Sequence, residues 1–165
     1  MIQSYFEAEK KAAFAALGIG LAACTIGSAL LISAQPPFYT GLALALLAIG
    51  ILETIVGTSV ARRSDWQAID LNKMLTSNPI EFVSLEAPRM EKVLRTFQRN
   101  KWGELALIMV GLALILFCKE PVFARGFGAG LFAQALIMLI FDYFAEKRGK
   151  KYNAYVNGLE QKGAR

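Results

Sequence analysis

Four polar side chains stand inside otherwise apolar stretches of this sequence: Glu53, Glu104, Gln134 and Asp142. An ionised carboxylate in hydrocarbon is costly, so such groups face a bundle interior, a watery cavity or a partner. Glu53 lies nine residues before Arg62, Asp142 five before Lys147, and Glu104 three past Lys101. All three acids therefore belong to the same half of the membrane, and converging faces would make an acidic pocket or one paired with Arg99 and Lys101. Such a pocket suits the binding or passage of a proton or cation through Glu53. The alternative is structural: Glu53 as a hydrogen-bonded buried acid, with Glu104 and Asp142 as ordinary boundary residues. Paired acids also perform general acid–base chemistry, but no nucleophile or metal ligand accompanies them at a recognisable spacing.

Other chemistries are excluded by composition. The chain has no histidine, which removes a His-based triad, a His general base and the usual zinc ligands. Cys24 and Cys118 are the only cysteines and form no CxxC pair; thiols inside apolar blocks act as small packing residues. Leu21-Ala22-Ala23-Cys24 has the look of a lipobox, yet Thr25 to Ala34 stays apolar where a lipoprotein turns polar. Gly18-Ile19-Gly20-Leu21-Ala22-Ala23 satisfies a dinucleotide-type glycine pattern without the preceding strand such binding needs. The net charge of +5 comes from cations flanking apolar blocks, an orientation signal and not a nucleic-acid surface. No cofactor, metal or nucleic-acid partner is expected, and no enzymatic activity.

The elements that must position the polar residues are membrane helices. Apolar residues make up 55% of the chain and fall in blocks, leaving no wet face at the helical period. The spans run over residues 12–34, 41–61, 102–118 and 127–145. About 20 residues at roughly 1.5 Å rise cover the hydrocarbon core, so the first, second and fourth fit and the third is short. Gln35-Pro36-Pro37 ends the first span and Arg62-Arg63 the second. Sixteen of the eighteen Lys and Arg lie before span one, between spans two and three, or after span four. Cations stay inside during insertion, so both termini and the central segment are expected in the cytoplasm. The turns Gln35–Thr40 and Lys119–Arg125 then face outside. The fold class is an all-α polytopic membrane protein, one domain over residues 1–165, built as two helical hairpins.

Residues 64–101 form the sizeable cytoplasmic piece. Ser64 with Gln67 predicts a capping box opening a short helix to about Leu75, and Ser77-Asn78-Pro79 breaks it. Pro88 suits a first helical position. Met90, Val93, Leu94 and Phe97 then follow helical spacing, with Arg89, Lys92, Arg95 and Arg99 mainly on other faces. This basic amphipathic helix leads into span three around Trp102, lying on anionic lipid, against a partner or against its own bundle. P-x-F-x-x-G occurs at Pro36–Gly41 and again at Pro121–Gly126, an offset of 85 at which Arg62-Arg63 falls on Lys147-Arg148. The two halves therefore read as one hairpin used twice, although any two short hairpins share a proline turn and flanking cations. Ala12, Ala16, Gly20, Cys24 and Ser28 form a small-residue stripe for packing within the bundle or between subunits.

Glu86-Ala87-Pro88-Arg89-Met90-Glu91-Lys92-Val93 before span three, and Phe141-Asp142-Tyr143-Phe144-Ala145-Glu146-Lys147-Arg148-Gly149 after span four, carry a resemblance. They resemble small uncharacterised bacterial inner-membrane proteins with two hairpins and a charged central segment. By size and topology only, the chain is also similar to immunity proteins that protect bacteria from membrane-active toxins. The resemblance implies a multi-pass protein of the bacterial inner membrane. The expected function is non-enzymatic: binding another protein, as an immunity or accessory subunit. The alternative is a small homo-oligomeric channel or transporter using the intramembrane acids.

Overall fold

In hydrocarbon every backbone N–H and C=O must be satisfied within its own segment, and a helix does this residue by residue. The computed structural model describes residues 1–33 and 36–163, and those residues form four helices: α1 (Ile2–Ile32), α2 (Pro37–Ser77), α3 (Pro79–Phe117) and α4 (Val122–Gly163). Each is long and apolar enough to cross a membrane. Ala34 and Gln35 of the first turn, and the terminal cation Arg165, lie outside the described residues.

Every helix outruns its apolar block. α2 has 41 residues, a length of ~60 Å where the hydrocarbon needs only ~30 Å. Arg62-Arg63 does not end it, because nothing from Ala61 to Ser64 breaks a helix. Ser64 does not open a new one either: its hydroxyl donates back to the Val60 carbonyl at 2.7 Å, inside the continuous helix. The break falls at Asn78 alone. Its Oδ1 accepts from the Glu81 backbone N–H at 3.2 Å and its Nδ2 donates to Glu81 Oε2 at 3.0 Å. With Pro79 as the first helical residue, this reciprocal cap fixes the start of α3. Pro88 therefore lies within α3 and not at its start, where it removes one backbone bond.

The extensions of all four helices meet beyond the spans, at the cation-rich end. Ile2, Tyr5 and Phe6 of α1, Phe82, Val83 and Met90 of α3, and Tyr152 and Val156 of α4 form one buried core. Ala68, Leu71, Met74 and Leu75 of α2 close it. We call this part the head. The amphipathic face of α3 is spent here and not on lipid: Leu94, Phe97 and Met90 pack on Gly149 of α4. Trp66 and Trp102, 68% and 74% exposed, flank the junction between head and spans, where indole rings favour the headgroup layer.

Within the spans α2 and α4 are the inner pair. The most apolar windows of α2 and α4 are 39% and 28% buried, those of α1 and α3 only 17% and 11%. Contacts are made at glycines. A Cβ on Gly20 of α1 would lie 2.7 Å from the Gly50 carbonyl of α2, and one on Gly111 of α3 would lie 2.7 Å from the Gly128 carbonyl of α4. Between α2 and α4 the contact is reciprocal: Gly41 abuts the Phe123 backbone, and Gly126 abuts the Phe38 backbone. These are the residues of the repeated P-x-F-x-x-G motif. Helix ends keep the same 85-residue offset, Ile32 with Phe117 and Pro37 with Val122.

A methyl group at Gly126 has no room, whereas Gly18 faces open space. Gly126→Ala should therefore lower the melting temperature in detergent, at a cost of roughly 1–3 kcal/mol for overpacking. Gly18→Ala should leave it unchanged or raise it, as the better helix former. Equal behaviour of the two variants would contradict the described packing.

Candidate functional site

The four intramembrane polar residues are drawn inward. Glu53, Glu104 and Gln134 retain 8%, 4% and 2% of their exposure, and Asp142 is half-buried. They do not gather into one acidic pocket. On α2, Glu53 is met by the Gln134 side chain of α4. On α3, Glu104 lies beside Asp142 of α4. Asn100 Nδ2 donates to Asp142 Oδ2 at 3.4 Å.

The expected cation partners divide. Lys101 does not pair with Glu104 but with Glu146 of α4, which Lys150 also engages at 2.8 Å. Those two ammonium groups hold the Glu146 carboxyl below its usual range. Arg99 is exposed, with no carboxylate partner among the described ion pairs. The polar residues of α4 thus descend its length, from Gln134 through Asp142 and Glu146 to Lys150, toward the head.

Three atoms in this region are buried without a hydrogen-bond partner: Glu53 Oε2, Glu104 Oε2 and Gln134 Nε2. Buried polar atoms are almost always satisfied, so three near one level of a bundle are unusual. Ala45, Ile49 and Leu131, with Leu107 against them, form the apolar layer just beyond, toward the short turns. Among the described residues no group of three His, Cys, Asp or Glu side chains assembles to hold a metal ion.

The small-residue stripe divides as well. Gly20 is buried against Gly50 and Thr54, and Cys24 Sγ lies beside Gly50. Ala12 and Ala16 are half-buried, and Ser28 is exposed. The buried line of α1 runs instead through Ala13, Gly20, Ala23 and Gly27. Both cysteines are free thiols.

A second polar cluster, in the head, joins residues that the sequence reading did not single out as a site. Glu86 is 1% exposed, and Arg89 grips it with two bonds of 2.6 Å, Nε to Oε2 and Nη2 to Oε1. Arg89 also lies over the Phe6 ring at 5.8 Å, and Tyr5 stacks on Tyr152 at 4.4 Å. Burial acts to lower the Arg89 pKa, but bonding to Glu86 more than reverses this. Burial pushes the Tyr5 and Tyr152 phenols well up, joined by repulsion from Glu9 at Tyr5 and from Glu86 at Tyr152. Glu9 is raised by burial, opposed by Arg63 at 3.6 Å. The signal in sequence was the three-residue spacing of Glu86 and Arg89; Ile2, Tyr5 and Phe6 gave none, since they precede the first span.

Comparison with known proteins adds no identity: no family model matches the chain, and no curated protein or solved structure matches it either.

Removing Arg89 would leave a carboxylate buried and unpaired. Arg89→Ala should cost about 3 kcal/mol of head stability, the lower end for broken buried pairs because Arg89 is one-third exposed. Tyr152→Phe removes a hydroxyl that has no partner and should be neutral or stabilising. A phenol whose folded pKa is raised stabilises fully below its unfolded value near 10 and loses that contribution as pH rises above it. Unfolding followed by circular dichroism should therefore become easier above about pH 10, and less so in Tyr152→Phe.

Proposed function

We propose that this is a non-enzymatic protein of the bacterial inner membrane that binds another protein through its head, as an immunity or accessory subunit. Both hairpins enter from the cytoplasm, so the head lies on that side. The observation that carries the reading is the placement of the packed core. Among the described residues the largest buried cluster stands outside the spans, whereas each of the two short connections, residues 33–36 and 118–121, is four residues long. A rigid extramembrane bundle is a surface for recognition. Its tip exposes Ile80 at 78% and Leu85 at 54%, beside the α2–α3 break. Sixteen of eighteen cations at this end support its cytoplasmic placement.

A second reading is favoured by the three unpartnered polar atoms inside the spans: a homo-oligomeric channel or transporter. The close α2–α4 contacts at Gly41 and Gly126 count against a pore through a single chain. A pathway in that reading would run between copies.

Two measurements bear on these readings. Fluorescent protein fused after Arg165 should fold and fluoresce, while alkaline phosphatase fused after Glu120 should be active; the opposite pattern would invert the topology. Mild solubilisation from native membranes and mass determination of the intact complex should then give a different protein at fixed stoichiometry. Ile80→Glu with Leu85→Glu should release that partner without unfolding the bundle. A complex containing only this chain would favour the channel reading.

A further inference from the structure

We propose that the head carries a binding site for the phosphodiester headgroup of an anionic phospholipid, in the cleft between α1 and α4. This goes beyond the protein-binding reading and does not depend on it. A cavity of about 150 Å³ opens there, lined by Ser4, Tyr5 and Ala8 of α1 and by Arg148, Lys151 and Tyr152 of α4. Ser4 and Ala8 are one turn apart, and Arg148, Lys151 and Tyr152 follow at three and four residues, so each helix gives one face to the cavity. Tyr5 stacks on Tyr152 at 4.4 Å and joins the two sides.

The depth of this cavity is that of lipid headgroups. Ala8 lies four residues before the first span begins at Ala12, and Arg148 three after the fourth ends at Ala145. At roughly 1.5 Å per residue, both stand about 5 Å beyond the hydrocarbon. Lys151 is one turn further out, and its flexible stem can return the ammonium to that layer. Exposed Trp66, five residues past Ala61, marks the same layer on α2. Within the spans α1 packs along α2 and touches α4 only slightly. Its glycine contacts go to α2, Gly20 to Gly50 and Gly27 to Ala43 and Leu47. The α1–α4 side of the bundle is thus left to acyl chains.

Charge selects the occupant. Arg148 is half-buried and Lys151 exposed, and neither has a carboxylate partner among the described ion pairs. The nearest acids are engaged elsewhere: Glu9, beside Arg148, meets Arg63 at 3.6 Å, and Glu146 is held by Lys101 and Lys150. A phosphodiester brings one negative charge and free acceptor oxygens to these two cations, the guanidinium as a fork and the ammonium as a point charge. The Ser4 hydroxyl adds a neutral donor. The cavity is too small for a folded segment of a partner, and basic pockets between membrane helices suit anionic headgroups.

Native mass spectrometry tests this on the full chain, stripped of lipid in neutral detergent and titrated with phosphatidylglycerol or phosphatidylcholine of the same acyl chains. Phosphatidylglycerol should be retained in preference. Arg148→Gln with Lys151→Gln should weaken its binding roughly thirtyfold, two cations counted. Lys73→Gln with Lys92→Gln removes the same charge from exposed positions farther from the membrane and should leave binding unchanged. Both double variants are checked for folding by size-exclusion chromatography, and Arg148→Lys with Lys151→Arg should keep the preference. Equal retention of the two lipids by the wild-type chain, equal losses in both glutamine variants, or inorganic phosphate binding as tightly as phosphatidylglycerol would overturn the proposal.

Discussion

Lipid tails are as apolar as leucine, so helices in a bilayer gain little by hiding their side chains from one another. What remains is attraction at short range, which falls steeply with separation. The backbones must approach closely, and only glycine lets them. In this chain Gly20, Gly50, Gly57, Gly111 and Gly128 hold the outer helices to the inner ones, and Gly41, Gly126 and Gly130 hold the inner pair together. Everything deeper depends on that spacing. The level at which Glu53 meets Gln134 is set by the register of α2 on α4.

The head is held by different physics. Beyond the spans water is the solvent, and burying Phe6, Phe82, Met90 and Tyr152 becomes favourable in the ordinary way. Helices that leave the membrane in fixed register are already aligned, so much of the entropy of assembling a four-helix core is spent before the core forms. The Glu86–Arg89 pair adds orientation more than strength, given the cost of desolvating two charges.

The spans were legible in the sequence because a hydrocarbon layer of fixed thickness permits one solution, an uncharged block of about 20 residues. The short third block illustrates the limit: Trp102 to Cys118 marks the apolar stretch, while α3 itself begins at Pro79. Lys, Arg, Glu and Gln are good helix formers, so a charged segment after Arg63 reads alike as loop or as continuing helix. The break at Asn78 was visible, since proline and a capping side chain act locally. Membership of the head core was not, because Phe6 and Tyr152 meet only through the packing of α1 on α4. Among the intramembrane polar residues, position along the span could be read directly. Their partners could not: the face each one presents depends on helix rotation, and so Lys101 found Glu146 instead of Glu104.

The reciprocal contacts of the repeated motif bear on how polarity is distributed in the core. At the 85-residue offset Ile49 corresponds to Gln134, and Glu53 to Met138. Two copies of one hairpin about a two-fold axis would be forced to carry any buried polar pair twice, and to desolvate it twice. Joining the halves in one polypeptide lifts that obligation. One side of the axis keeps an aliphatic and a thioether, Ile49 and Met138, while the other carries the carboxyl–carboxamide pair. The Glu53–Gln134 pair thus has an apolar counterpart at the 85-residue offset, Met138 with Ile49.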